Sequence, residues 1–85
     1  MYQHAIIQEC IEKGESLVYV IETINNLETA KEALAYAIED FKDYVKGCGW
    51  RVKKETDTMF EAYQDSYDGK RIHKLWIQKV THRRD

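Results

Sequence analysis

The sequence predicts an α+β fold: a single helix packed on one face of a four- to five-stranded, mostly antiparallel sheet, in the order ββαβββ. Three observations carry this expectation. Only one long segment, NNLETAKEALAYAIEDFKDYVKGCG, repeats its apolar residues with the period of a helix. An apolar, β-branched run, LVYVI, precedes it, and three short runs rich in aromatic and β-branched residues follow it between turn signals.

The first stretch, YQHAIIQECIEKGES, admits two readings. Ile6, Ile7, Cys10 and Ile11 suit the stripe of a short helix, which would make the order αβαβββ. The same β-branched residues, followed by Lys13-Gly14, suit one arm of a hairpin, and this is the preferred reading. Next, SLVYVIETI carries Leu17, Val18, Tyr19, Val20 and Ile21 without a polar face, a pattern that predicts a strand buried on both sides or central in its sheet. In the helical segment Ala30, Leu34, Ala37 or Ile38, Phe41 and Val45 recur at steps of three and four, so they share one stripe. Asn25 or Asn26 supplies the N-cap, with Glu28 in capping-box position after Asn25, and Gly47 or Gly49 can take the left-handed conformation that ends the helix. The helix is expected over about residues 27–46. The runs WRVKKE, MFEAYQ and RIHKLWIQKV then form a meander, broken at Thr56-Asp57-Thr58 and at Asp68-Gly69, a pair suited to a tight hairpin turn.

Eighty-five residues make one domain, residues 1–85, with a single core that buries about 60–65% of the surface its unfolded chain exposes. The apolar share of 44% and the aromatic share of 12% argue against disorder. No apolar run reaches the ~20 residues of a membrane span, and MYQHAIIQEC has no signal-peptide pattern, so a cytoplasmic location and no membrane partner are expected. Cys10 and Cys48 form no CxxC pair and are expected to be free thiols.

Catalytic motifs are absent: there is no GxSxG, no HExxH and no phosphate-binding glycine loop, and the chain is expected not to be an enzyme and to need no cofactor. His4, His73 and His82 show no spacing that suggests zinc. Cys48, between two glycines and near Lys46 and Arg51, is the thiol closest to a nucleophile's setting, although a small apolar plug at the helix end is the favoured reading.

The charge is unevenly placed. Residues 1–69 hold seven Lys or Arg against fourteen Asp or Glu, whereas residues 70–85 hold six against Asp85 alone. The basic set, Lys70, Arg71, Lys74, Lys79, Arg83 and Arg84, interleaves with Ile72, Leu75, Trp76, Ile77 and Val80. Basic and aromatic residues on a strand can bind single-stranded nucleic acid or a nucleotide, with Trp76, Tyr63 or Phe60 as stacking platforms. They also guard a sheet edge against aggregation, and that is the favoured reading, because the acidic body repels a polyanion. Glu28, Glu32, Glu39, Asp40 and Asp43 form an acidic helix face, interrupted by Lys31, Lys42 and Lys46 at ion-pairing distance in sequence.

A sheet with one helix leaves one face uncovered. If Leu75 and Ile77 point at the helix, then Ile72, Trp76 and Val80 lie on the other face, joined there by Trp50 or Phe60. Such a face marks an interaction site, with a homodimer as one way to cover it; alternatively the N-terminal segment lies over it.

The layout as a whole, with an acidic body, a strand leading into NLETAKEAL, the GW that opens the next strand and the meander FEAYQDSYDGKRIHKLWI, resembles the small accessory proteins of bacteriophages and mobile elements, including anti-CRISPR and other anti-defence inhibitors. The resemblance implies a protein that works by binding, blocking a host enzyme or sequestering a signalling nucleotide without turnover. The expected function is therefore a non-enzymatic binding module with a protein partner, using Tyr63, Tyr67, Arg71, Lys74 and Trp76. The alternative is a nucleic-acid or nucleotide binder using the same strand.

Overall fold

A computed structural model describes residues 2–66 and 69–81. The elements follow as β1 (Tyr2–Glu12), β2 (Glu15–Ile24), α1 (Leu27–Tyr44), β3 (Arg51–Glu55), β4 (Met59–Ser66) and β5 (Gly69–Thr81). The strands form one sheet in the order β2-β1-β5-β4-β3, with every neighbouring pair antiparallel. This is the expected ββαβββ arrangement with five strands.

The N-terminal ambiguity resolves to a hairpin. Lys13 and Gly14 have φ of 53° and 77°, the two successive positive angles that a two-residue turn with the right twist requires. Ile6 and Ile7 are adjacent in sequence and both buried, and the strand sends them to opposite faces of the sheet. At the other hairpin Ser66 pairs with Gly69, so Gly69 opens β5 instead of sitting in the turn.

The helix begins where its cap dictates. Asn26 accepts hydrogen bonds at Oδ1 from the backbone N–H of Glu28 at 2.8 Å and of Thr29 at 3.2 Å. Replacing it with Ala would cost about 1 kcal/mol. The last helical turn ends at Tyr44, and Gly47, with φ of 80°, turns the chain back toward β3.

Ala30, Leu34 and Ile38 of α1 are buried. Leu34 and Ile38 meet Ile6, Phe60, Ala62 and Leu75 in one core cluster, with Ile24, Phe41, Trp50 and Ile77 packed around it. The helix therefore covers one face of the sheet. Phe60 is fully buried there, and Trp50 sets its ring edge-on to Phe41 at 5.1 Å. Both rings lie on the covered face and not on the uncovered one, correcting the sequence expectation.

The other correction concerns β2. It is neither central nor buried: Leu17, Val18 and Val20 are 59%, 58% and 61% exposed, and Tyr19 and Ile21 are exposed too. β1 pairs with β5 on its far side, in register Ile6↔Ile77 and Ile7↔Trp76, so β1 and β5 occupy the centre. The chain then crosses through α1 from one edge of the sheet to the other, leaving β2 as an outer strand. A run without a polar face distinguishes neither outcome.

Candidate functional site

Cross-strand partners lie on the same face of a sheet, so the register assigns every strand residue to the covered or the uncovered side. Trp76 is paired with Ile7 on β1 and with Met59 on β4, and Ile7 is paired with Val20 on β2. Val20, Ile7, Trp76 and Met59 thus form an apolar row across four strands on the side away from the helix. Among the described residues no element lies over this row. Ile7 is buried, whereas Val20 and Met59 remain exposed. A second row on the same side runs Ile11, Ile72 and Tyr63.

Between these rows lies a charged one. Lys74 stands between Glu9 of β1 and Glu61 of β4, and Lys53 forms an ion pair with Glu61 at 3.4 Å. Charges of both signs alternate across the strands, so the uncovered face is not a basic track. Lys70 places its ammonium 5.0 Å from the centre of the Tyr63 ring, a cation–π contact at the rim.

Three of the residues singled out from the sequence, Tyr63, Lys74 and Trp76, share this face. Arg71 does not: its register partner is Glu12, with which it forms an ion pair at 3.1 Å on the helix side of the sheet. Alternation in β5 sends Lys70 and Lys74 one way and Arg71 and Lys79 the other. The basic residues of the last strand are therefore divided between two faces. Tyr67, Arg83 and Arg84 lie outside the described residues.

The covered side carries a feature that sequence spacing did not disclose. Where the end of α1 leaves the sheet, a cleft of about 640 Å³ opens, lined by Cys10, Asp40, Phe41, Cys48, Trp50 and His73 among others. Cys10 and His73 are direct cross-strand partners, and the Cys10 Sγ lies 3.4 Å from His73 Nδ1. The Gln8 amide donates to the same sulfur at 3.4 Å. His73 stacks on Phe41 with ring centres 4.0 Å apart and planes 14° from parallel. Burial lowers its pKa below the ordinary 6.5, so the imidazole is neutral at pH 7.

A thiol beside a neutral imidazole has the pairing of a nucleophile and its base. Here, however, among the described residues no carboxylate hydrogen-bonds to the ring, and its orientation comes from the aromatic stack. Cys48 is exposed and not the apolar plug expected at the helix end, and both cysteines are free. Among the described residues no group of three or more His, Cys, Asp or Glu side chains is placed to hold a metal ion. Among the described residues no helix is long and apolar enough to cross a membrane.

The fold and the face together define a small α+β domain whose sheet, among the described residues, is covered by an element on one side only. Comparison with known proteins yields no match to a family model, to a curated protein or to a solved structure.

Proposed function

We propose that this protein is a non-enzymatic binding module that holds a partner protein against the uncovered face of its sheet. The observation that carries this reading is the row Val20, Ile7, Trp76 and Met59, which places an indole at the centre of an apolar patch. Trp, Tyr and Met surrounded by paired charges make the composition of a protein interface, in which a desolvated aromatic centre supplies most of the energy and a polar rim supplies register. Glu9, Lys74, Glu61 and Lys53 border the Trp76 row along one side, and Tyr63 stands in the second apolar row beyond them. The layout's resemblance to phage and mobile-element anti-defence proteins makes inhibition or sequestration of a host defence enzyme the first case to test.

The balance of charge favours protein over nucleic acid as the partner. A polyanion requires cations aligned along one groove, and here Lys74 is flanked by two glutamates while Arg71 belongs to the other face. The experiment is a titration of the partner, isolated with the protein as bait, against Trp76→Ala and Met59→Lys. Trp76→Ala should weaken binding by on the order of 2 kcal/mol, about thirtyfold. Met59 is already exposed, so Met59→Lys should weaken binding without lowering the melting temperature. Unchanged affinity in both variants, or a micromolar affinity for an oligonucleotide that falls steeply with salt, would overturn the reading.

A further inference from the structure

The edge strand β2 presents the run Leu17-Val18-Tyr19-Val20-Ile21 to solvent on both faces of the sheet. An edge strand leaves alternate backbone N–H and C=O groups unpaired, and soluble proteins ordinarily guard it with Lys, Pro or brevity. Strand β3, the opposite edge, is guarded in this way: it has five residues, RVKKE, and an irregularity between Val52 and Lys54. Strand β2 has ten residues and contains no Lys, Arg or Pro. Its one irregularity falls at Ile21, toward the end of the apolar run.

We infer that β2 pairs antiparallel with β2 of a second copy of this chain about a two-fold axis through Tyr19. The run LVYVI reads nearly the same in both directions about its tyrosine, which is what an antiparallel strand needs to meet itself. In that register Tyr19 meets Tyr19, Val18 meets Val20 and Leu17 meets Ile21 of the second copy. Beyond the run the irregularity at Ile21 places Glu22 on the side of Ile6 while Ser16 stays on the side of Ile11, so no glutamate faces another. Moving the axis by one residue, to Val18 or to Val20, spoils this: the first sets Ser16 against Val20 and Glu15 against Ile21, and the second carries Leu17 and Val18 past the irregularity at Ile21 to Thr23 and Glu22. Like charges directly opposite destabilise a strand pair, and so does an apolar residue set against a carboxylate.

The axis is perpendicular to the sheet, so both helices fall on one side and both uncovered faces on the other. The product is a continuous sheet of ten strands, twice the five of one copy. Val18 and Val20 already lie on the uncovered side by register with Glu9 and Ile7, so pairing joins the two Trp76 rows into one platform. This inference stands apart from the capture of a partner, because it uses the strand edge and leaves the face free.

The test is mass by light scattering over a concentration series. The wild-type chain should give twice 10.1 kDa. Tyr19→Lys places two ammonium groups opposite each other on the axis and should give a single chain's mass, as should Tyr19→Glu. Mixing these two variants should restore the doubled mass, because Lys then meets Glu at the same position. Tyr19 is half exposed, so the fold should survive; Val18→Lys, at a more exposed position, provides a second monomerising change, and circular dichroism checks both. Met59→Lys should leave the doubled mass intact. A wild-type chain that stays monomeric at every concentration would overturn the inference. So would a Tyr19→Lys variant that still doubles, a mixture that fails to reassociate, or a Met59→Lys variant that falls apart, the last of which would move the contact to the face.

Discussion

At one edge of the sheet, β3 runs five residues with four charges; at the other, β2 runs ten with five consecutive apolar residues in the open. The first edge is also tied inward. Lys42 of α1 donates to Glu55 at 2.8 Å, the cross-strand neighbour of Glu55 is the fully buried Phe60, and Trp50 packs against Phe41 just before the strand begins. The second edge is held by β1 along its length and reaches the core only at its far end, through Ile24. Being an edge does not by itself make a strand an interface. Charge and brevity close one edge to pairing, and length with an uncharged apolar run opens the other.

The largest effect should come from removing the guard on β3. With Lys53→Val and Lys54→Val each copy would offer two apolar edges, so pairing would continue from copy to copy into extended assemblies. Light scattering should then show a mass that climbs with concentration, and a mass fixed at that of the wild type would show that β3 is closed by something other than its lysines.

The edges should also differ in how far they report on the core. Phe60→Ala, next to β3, should cost about 3–5 kcal/mol in urea unfolding, because it empties the centre of the cluster. Val18→Ala, measured in a Tyr19→Lys background where copies are separate, should change stability by less than about 0.5 kcal/mol. A comparable loss at both positions would mean that β2 contributes to the folded monomer as much as the interior does.

A smaller effect should follow pH. His73 is depressed by burial, so its contribution is fully present above the ordinary value of 6.5 and is lost as pH falls, when the unfolded chain takes up a proton that the folded one resists. The slope approaches about 1.4 kcal/mol per pH unit for one proton. His73→Phe, which keeps an aromatic ring against Phe41, should flatten the part of the acid decline that lies between pH 6.5 and the folded-state pKa. Denaturant midpoints measured at pH 7.5 and 5.5 decide this, and an identical decline in the variant would assign it to carboxylates.

The smallest effect belongs to the ion pair that anchors β3. The Lys42 pKa is raised, chiefly by its hydrogen bond to Glu55, so any contribution persists below the ordinary 10.5 and fades only in strong alkali. Both side chains are partly exposed, and Lys42→Met should cost less than about 1 kcal/mol at pH 7. A larger loss would show that the tether, and not the charge of the strand, is what keeps β3 closed.

Much of the fold was legible because it is local. Asn26 caps a helix whose apolar stripe repeats at steps of three and four, Lys13-Gly14 makes a hairpin turn, and alternation marks the strands. Half of the candidate site was legible in the same way. Alternation in KRIHKLWIQKV unites Lys74 with Trp76 and already separates Arg71 from both, so the grouping of Arg71 with them went against a period that the sequence displays.

The sequence by itself determined the helix, the later strands with their order, and which residues of β4 and β5 share a face, because turns, caps and side-chain alternation depend on neighbours a few residues apart. Only the tertiary structure decided what lies beside each strand and over each face. β5 pairs with β1 across most of the chain, which pushes LVYVI to the edge and brings Cys10 against His73, 63 residues away. The same packing turns Phe60 and Trp50 toward the helix and leaves Trp76 uncovered. Those outcomes rest on the register between distant strands, which the core settles by burying Ile6, Leu34, Phe60 and Leu75 together, and no local period encodes it.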